Sequence, residues 1–189
     1  MRAFVAIDLA EEVRAALARE QSRLKVACGH DRDLRWTRPE GLHLTLKFLG
    51  EIETAQATSV TAALQALGQS GAFRVEAKGF GYFPDARRPR VLWVGLEVPA
   101  ALGELAGRVE AALEKVGFAR EDRPFKPHLT LARFERPHAK PALTAAIGGS
   151  SGGSFGSFEV SEFFLFESQL RPGGAKYFKL ARFPPSPSP

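Results

Sequence analysis

The tetrapeptide His-Leu-Thr-Leu occurs twice, at His43 to Leu46 and again 85 residues later at His128 to Leu131. Each copy lies in an alternating apolar run, Leu42 to Leu49 and Pro127 to Phe134, bounded by turn or breaker residues, and a period of two predicts a β-strand. Side chains i and i+2 of a strand share a face. His43 therefore points with Thr45, and His128 with Thr130, while the leucines of both copies point the other way into a core. A fold for this chain must supply two strands that each carry an imidazole and a hydroxyl on the side away from the core. The alternative is two unrelated histidines, each satisfied within its own strand.

The copies sit at matching places in a longer duplication. Arg2 to Asp8 predicts a strand and Ala10 to Val26 an amphipathic helix; a polar loop at Gly29 to Asp33, a short strand Leu34 to Trp36 and a turn at Pro39 to Gly41 lead into the first motif. A helix over Thr54 to Gln69, with capping chemistry at Glu53-Thr54, and a strand over Phe73 to Phe83 complete that half. After the basic turn Asp85 to Pro89 the order repeats, with a strand at Arg90 to Leu96, a helix at Pro99 to Val116 and the second motif strand within Phe125 to Phe134. A short helix at Pro141 to Ile147, a flexible Gly/Ser loop at Gly148 to Gly156, and strands Phe158 to Ser168 and Tyr177 to Phe183 joined as a hairpin through the 171–174 turn follow. The order implies a single domain over 1–183 with an internal duplication, its motif-bearing halves of about 2–83 and 90–183 related by a pseudo-two-fold axis that would bring both motif strands to one cleft. The Pro/Ser tail 184–189 has nothing to bury and is expected to be disordered.

At 189 residues the chain can bury about 70% of its unfolded surface without help from a metal or disulfide. Cys28 is the single cysteine, so no internal bridge forms and a reducing compartment suits the chain. The N-terminal apolar run is too short for a signal peptide and is interrupted by Asp8, and no stretch approaches the roughly 20 apolar residues of a membrane span. A soluble, cytoplasmic monomer is expected. The net charge is +5 with a pI near 9.7, and arginine is prominent in 31–38, 85–90 and 120–136. That balance fits a polyanionic partner such as RNA, or arginine carried for solubility alone.

Two imidazoles facing one another are the side chains best matched to proton transfer at neutral pH. One, neutral, takes a proton while the other, charged, gives one. Threonine hydroxyls beside them can donate to the non-bridging oxygens of a phosphate. The set fits in-line displacement at phosphorus. Other chemistries find less support. His30 and His138 lie in predicted loops without ligand spacing, so no metal site is expected. There is no G-x-S-x-G elbow and no phosphate-binding P-loop, and Gly79-Phe80-Gly81 is a fragment of a dinucleotide fingerprint that reads better as a bent strand. No cofactor is expected.

With Trp36-Thr37 upstream, Lys47-Phe48-Leu49-Gly50 after the first motif and Arg133-Phe134 after the second, the chain resembles the two-histidine phosphoesterase superfamily. Within it, the chain is most similar to the RNA 2',3'-cyclic phosphodiesterases, also called 2'-5' RNA ligases, from about Arg2 through Leu165 to Ser168 and Tyr177 to Leu180. The resemblance implies an α+β, bilobal fold, mostly antiparallel sheets flanked by helices around a central basic cleft, that forms one catalytic domain, and metal-free opening of an RNA 2',3'-cyclic phosphate, as on tRNA halves, to a 2'-phosphomonoester. It makes His43 the proton donor, His128 the base, Thr45 and Thr130 the phosphate holders and Arg133 a phosphate contact. An RNA 5'-hydroxyl in place of water would give a 2'-5' ligation. Rival readings are a non-catalytic RNA-binding domain and a relative acting on a 2'-5' oligoadenylate or an ADP-ribose cyclic phosphate. Strict alternation turns Arg133 away from His128 unless a bulge or a strand end intervenes. The same parity puts Lys47 with His43 on the cleft face, or leaves it a solvated strand-end lysine, and sends Phe48 into the core. Tyr177 is either a stacking platform for a base or a structural hairpin residue.

Overall fold

A computed structural model describes residues 1–68, 71–149, 153–172 and 174–183. The described residues form nine strands and four α-helices. They are β1 (Arg2–Asp8), α1 (Glu11–Ala27), β2 (Leu34–Trp36), β3 (His43–Glu51), α2 (Thr54–Gln65), β4 (Phe73–Phe83) and β5 (Val91–Glu97), then α3 (Ala100–Glu114), β6 (His128–Phe134), α4 (Pro141–Gly148), β7 (Ser154–Val160), β8 (Phe163–Arg171) and β9 (Gly174–Phe183). All pairings are antiparallel, in one sheet of order β3-β1-β8-β9 and another of order β2-β6-β5-β4-β7. The α+β class with two antiparallel sheets is the one the sequence predicts.

Local chemistry accounts for most boundaries. Ala3 to Ile7 are all buried because β1 runs between β3 and β8 and is covered on both faces. Glu11 and Glu12 sit at the positive end of α1, and Gly29, at φ +61°, takes the left-handed conformation just past its end. A reciprocal capping box between Glu53 and Gln56 starts α2. That helix ends at Gln65, short of the expected Gln69, near Gly68 at φ +62°. Gly79, at φ +71°, lies in a register shift of β4 and makes the expected bend.

Two expectations fail after α4. Phe158 to Ser168 is not one strand: β7 pairs with β4 in the second sheet, β8 pairs with β1 in the first, and Ser161-Glu162 is the crossing between them. Both flanking stretches bury large apolar side chains, which is why their periodicities fuse in the sequence. Nor is 148–156 a loop throughout, since Gly148 closes α4 and Ser154 to Gly156 open β7. Gly156 has φ +103°, and a Cβ there would lie 3.3 Å from Val13 of α1, so glycine allows the strand to approach the helix. The β8–β9 hairpin forms as expected. The tail 184–189 lies outside the described residues.

The layers interlock. Helix α1 leaves the first sheet through β1 yet packs on β7 of the second and on α4; α3 leaves the second sheet through β5 yet packs on β3 of the first and on α2. One continuous core joins both sheets and all four helices. A second, separate cluster of Phe4, Ala6, Phe164 and Phe166, with Tyr177 against it, lies on the other face of the first sheet. Register places His43 and Thr45 on that same face, because Asp8 pairs with His43 and Ala6 with Thr45. No helix among the described residues is long and apolar enough to cross a membrane.

Candidate active site

The two motif strands hold equivalent places. On β3, His43 and Thr45 pair with Asp8 and Ala6 of β1; on β6, His128 and Thr130 pair with Gly95 and Trp93 of β5, a constant offset of 87 residues on the partner strands. Each imidazole is fixed in the same way. His43 Nδ1–H donates to the carbonyl of Gly41 at 2.7 Å, and His128 Nδ1–H donates to that of Lys126 at 2.7 Å, in both cases the residue two positions earlier. A carbonyl only accepts, so the proton of each neutral ring is on Nδ1 and Nε2 is left free to accept one. His30 and His138 are not brought into this arrangement.

Aromatic side chains frame both rings. Phe4 stacks on His43 with centroids 4.6 Å apart, and Tyr177 meets it edge-on at 5.1 Å. Phe83 meets His128 edge-on at 4.8 Å. Burial pushes the His43 pKa down to about 4; the Gly41 carbonyl and the Asp8 charge oppose the shift, and Arg14 and Arg133 reinforce it. His128 is also lowered by burial, opposed by the Lys126 carbonyl and reinforced by Arg133. Burial works to raise the Asp8 carboxyl, but its bonds to Lys179 at 2.6 Å and Arg14 at 2.5 Å outweigh it and keep the group below its usual range. The Arg133 charge thus reaches both imidazoles, and it reaches the Tyr177 hydroxyl as well.

Arg133 gets there through a bulge. In β6 Thr130 pairs with Trp93 but Ala132 with Leu92, so Leu131 is an extra residue and parity changes after it. Arg133 pairs with Val91, and 91, 93 and 95 alternate onto one face; Arg133 therefore shares the face of His128 and Thr130. The first motif carries the same bulge. Thr45 pairs with Ala6 but Lys47 with Val5, which makes Leu46 the extra residue.

The bulge at Leu46 overturns two expectations from strict alternation. Lys47 is neither on the cleft face nor solvated: it turns to the core side with only 3% exposure, and its Nζ bonds Glu110 of α3 and the Ala119 carbonyl, both at 2.7 Å. Phe48, expected in the core, is 57% exposed and tilts against Phe4 at 6.3 Å, at the place that Arg133 holds in the other motif. Sequence reasoning missed Phe48 because nothing in the letters marks the bulge. Lys47→Ala strands a largely buried carboxylate and is expected to cost about 3 kcal/mol of stability. Chemical denaturation checks this, and a loss below about 1 kcal/mol would show that water replaces the ammonium.

A groove of about 820 Å³ opens beside His43, between α1 and the start of β9, with Arg14, Arg19, Tyr177, Phe178 and Lys179 among its walls. Tyr177 packs on His43 and Phe4, as its structural reading has it, and it also lines this groove.

The family model for LigT-like phosphoesterases matches residues 7–93 and again 94–177. An RNA 2',3'-cyclic phosphodiesterase of Methanothermobacter thermautotrophicus is 34% identical over 97% of this chain and 98% of its own. A crystal structure of a protein from Thermus thermophilus superimposes with a TM-score of 0.80, at 34% identity and 97% coverage of both chains. The Escherichia coli LigT structure complexed with 3'-AMP gives a TM-score of 0.78, at 26% identity and 98% coverage of both.

Proposed function

The chain belongs to the LigT-like phosphoesterase family, and from that membership we propose that it is an RNA 2',3'-cyclic phosphodiesterase that opens the cyclic phosphate to a 2'-phosphomonoester with two histidines. Water attacks phosphorus as its proton passes to Nε2 of neutral His128. The bond from phosphorus to the 3'-oxygen breaks, and that oxygen takes a proton from Nε2 of charged His43. Thr45, Thr130 and Arg133 hold the non-bridging oxygens, whose charge grows in the transition state. Exchange with solvent then returns each proton to its starting place. With an RNA 5'-hydroxyl in place of water the same displacement gives a 2'-5' phosphodiester, driven by ring strain. RNA bearing such an end is the partner, and the basic pI of about 9.7 favours it.

The observation that carries this reading is the matched pair of Nδ1-anchored imidazoles, both within the influence of one guanidinium. The experiment is incubation with a 2',3'-cyclic nucleotide in EDTA, followed by phosphorus NMR of the product. Turnover to the 2'-phosphate is expected. Binding without turnover would leave an RNA-binding module instead.

The pH dependence is a sharper expectation. Activity of the free enzyme needs one imidazole charged and one neutral, so kcat/KM follows a bell. Both rings are lowered, His43 to about 4 and His128 to below the ordinary 6.5. The acid limb is loss of the base as it gains a proton, and the alkaline limb is loss of the acid. The maximum of kcat/KM is therefore expected between about pH 4 and 6.5. A maximum near pH 8 would contradict it.

A further inference from the structure

One polar residue interrupts the core-facing stripe of α1. Val13, Leu17 and Leu24 are its apolar members, and Gln21, 1% exposed, stands among them. Its Nε2 donates to the carbonyl of Thr37 at 2.8 Å and to that of Leu131 at 3.0 Å. Leu131 is the extra residue of the β6 bulge. A bulge leaves backbone groups outside the regular ladder; here the Leu131 carbonyl receives the Thr37 amide at 2.8 Å as well as the Gln21 side chain.

The Gln21 amide can be held only one way round. Reversed, its oxygen would face two carbonyl oxygens; as it stands, Oε1 is buried and has no hydrogen-bond partner among the described residues. A buried acceptor left unpaired calls for an explanation beyond packing. The other half of the chain repeats the arrangement. Val13, Leu17, Gln21 and Leu24 of α1 correspond, 89 residues on, to Leu102, Ala106, Glu110 and Leu113 of α3. Glu110 takes the Nζ of Lys47, the residue directly after the Leu46 bulge. From the helix of each half, one polar side chain at the same helical position reaches the back of the bulge beside the other half's His-x-Thr pair.

We propose that Gln21 is a positioning residue: by holding the Leu131 carbonyl it fixes the bulge that turns Arg133 into the cleft, and so sets the grip on phosphate without touching substrate. The physical reason is register. Moving the extra residue two places along β6 would exchange the faces of the two residues it passes, and either Thr130 or Arg133 would leave the site. This rests on the reading of Arg133 as the phosphate contact.

The test is a double-mutant cycle with kcat/KM as the readout. Gln21→Met keeps length and apolar volume but removes both donors. It is expected to lower kcat/KM roughly 10- to 10²-fold with Arg133 present, and to have little further effect in Arg133→Ala. Its effect on thermal melting should be the same in both backgrounds. Gln21→Glu, buried without a cation and so protonated, keeps one donor and should recover part of the loss. An equal kcat/KM penalty in both backgrounds, or none in a folded Gln21→Met, overturns the proposal. The Arg133 Nε resonance in nitrogen NMR separates the two layers of argument. If it moves in Gln21→Met while Arg133→Ala leaves kcat/KM intact, the clamp stands and the phosphate role of Arg133 fails; if it does not move, the clamp itself is wrong.

Discussion

Alanine at either His43 or His128 is expected to lower kcat on a 2',3'-cyclic nucleotide by 10²- to 10⁴-fold, roughly 3 to 5.5 kcal/mol of barrier each. Proton delivery and proton removal act on one transition state, so the double variant should lose far less than the product of the two. Binding should suffer less than turnover, because Thr45, Thr130 and Arg133 remain. A substrate whose leaving group departs without a proton assigns the roles. With bis(p-nitrophenyl) phosphate the acid variant should lose little while the base variant stays impaired. If His43→Ala and His128→Ala lose equally on that ester, the assignment of His43 as the acid is wrong. Folding must be confirmed for His43→Ala in particular, since Phe4 and Tyr177 pack on that ring.

Arg133→Ala carries the second large effect, a fall of about 10²- to 10³-fold in kcat/KM. Lysine at 133 should restore only part of it, because a single ammonium lacks the planar fork that matches two phosphate oxygens. The pH profile adds a readout that a purely structural arginine would not move. Arg133 lowers the proton affinity of both imidazoles. Its removal raises both, so the whole bell is expected to move to higher pH. A fall in rate with an unmoved bell would mean that the guanidinium does not face the two rings in solution.

The histidines and Arg133 could all be found in the letters, but for different reasons. The histidines are legible because i and i+2 share a face whatever follows them in the strand, and because the motif occurs twice at matching positions. Arg133 is legible only through the resemblance, since parity counted from His128 gives the wrong side. The same count misplaces Lys47 and Phe48, which lie beyond the Leu46 bulge. A bulge is specified by what packs behind it, here Gln21 and the Lys47–Glu110 pair, and those partners are tens of residues away in sequence. The crossing at Ser161-Glu162 escapes for a related reason: two buried apolar strands in different sheets read as one when only two residues separate them. The aromatic cluster around Phe4 and Phe166 is invisible to periodicity, because β1 and β8 are apolar on both faces and nothing marks which face meets the main core.

The exchange of helices between the sheets bears on motion. An enzyme whose lobes are joined by a strap can swing shut on its substrate, and such closure often limits its turnover. Here each sheet is braced by a helix that departs from the other, with Gln21 of α1 tied to β6 and Glu110 of α3 tied to β3. Swinging the lobes apart would tear both braces out of the shared interior. The two sheets are therefore expected to move as one body, and whatever enters the proposed site has to fit an opening that packing has already shaped.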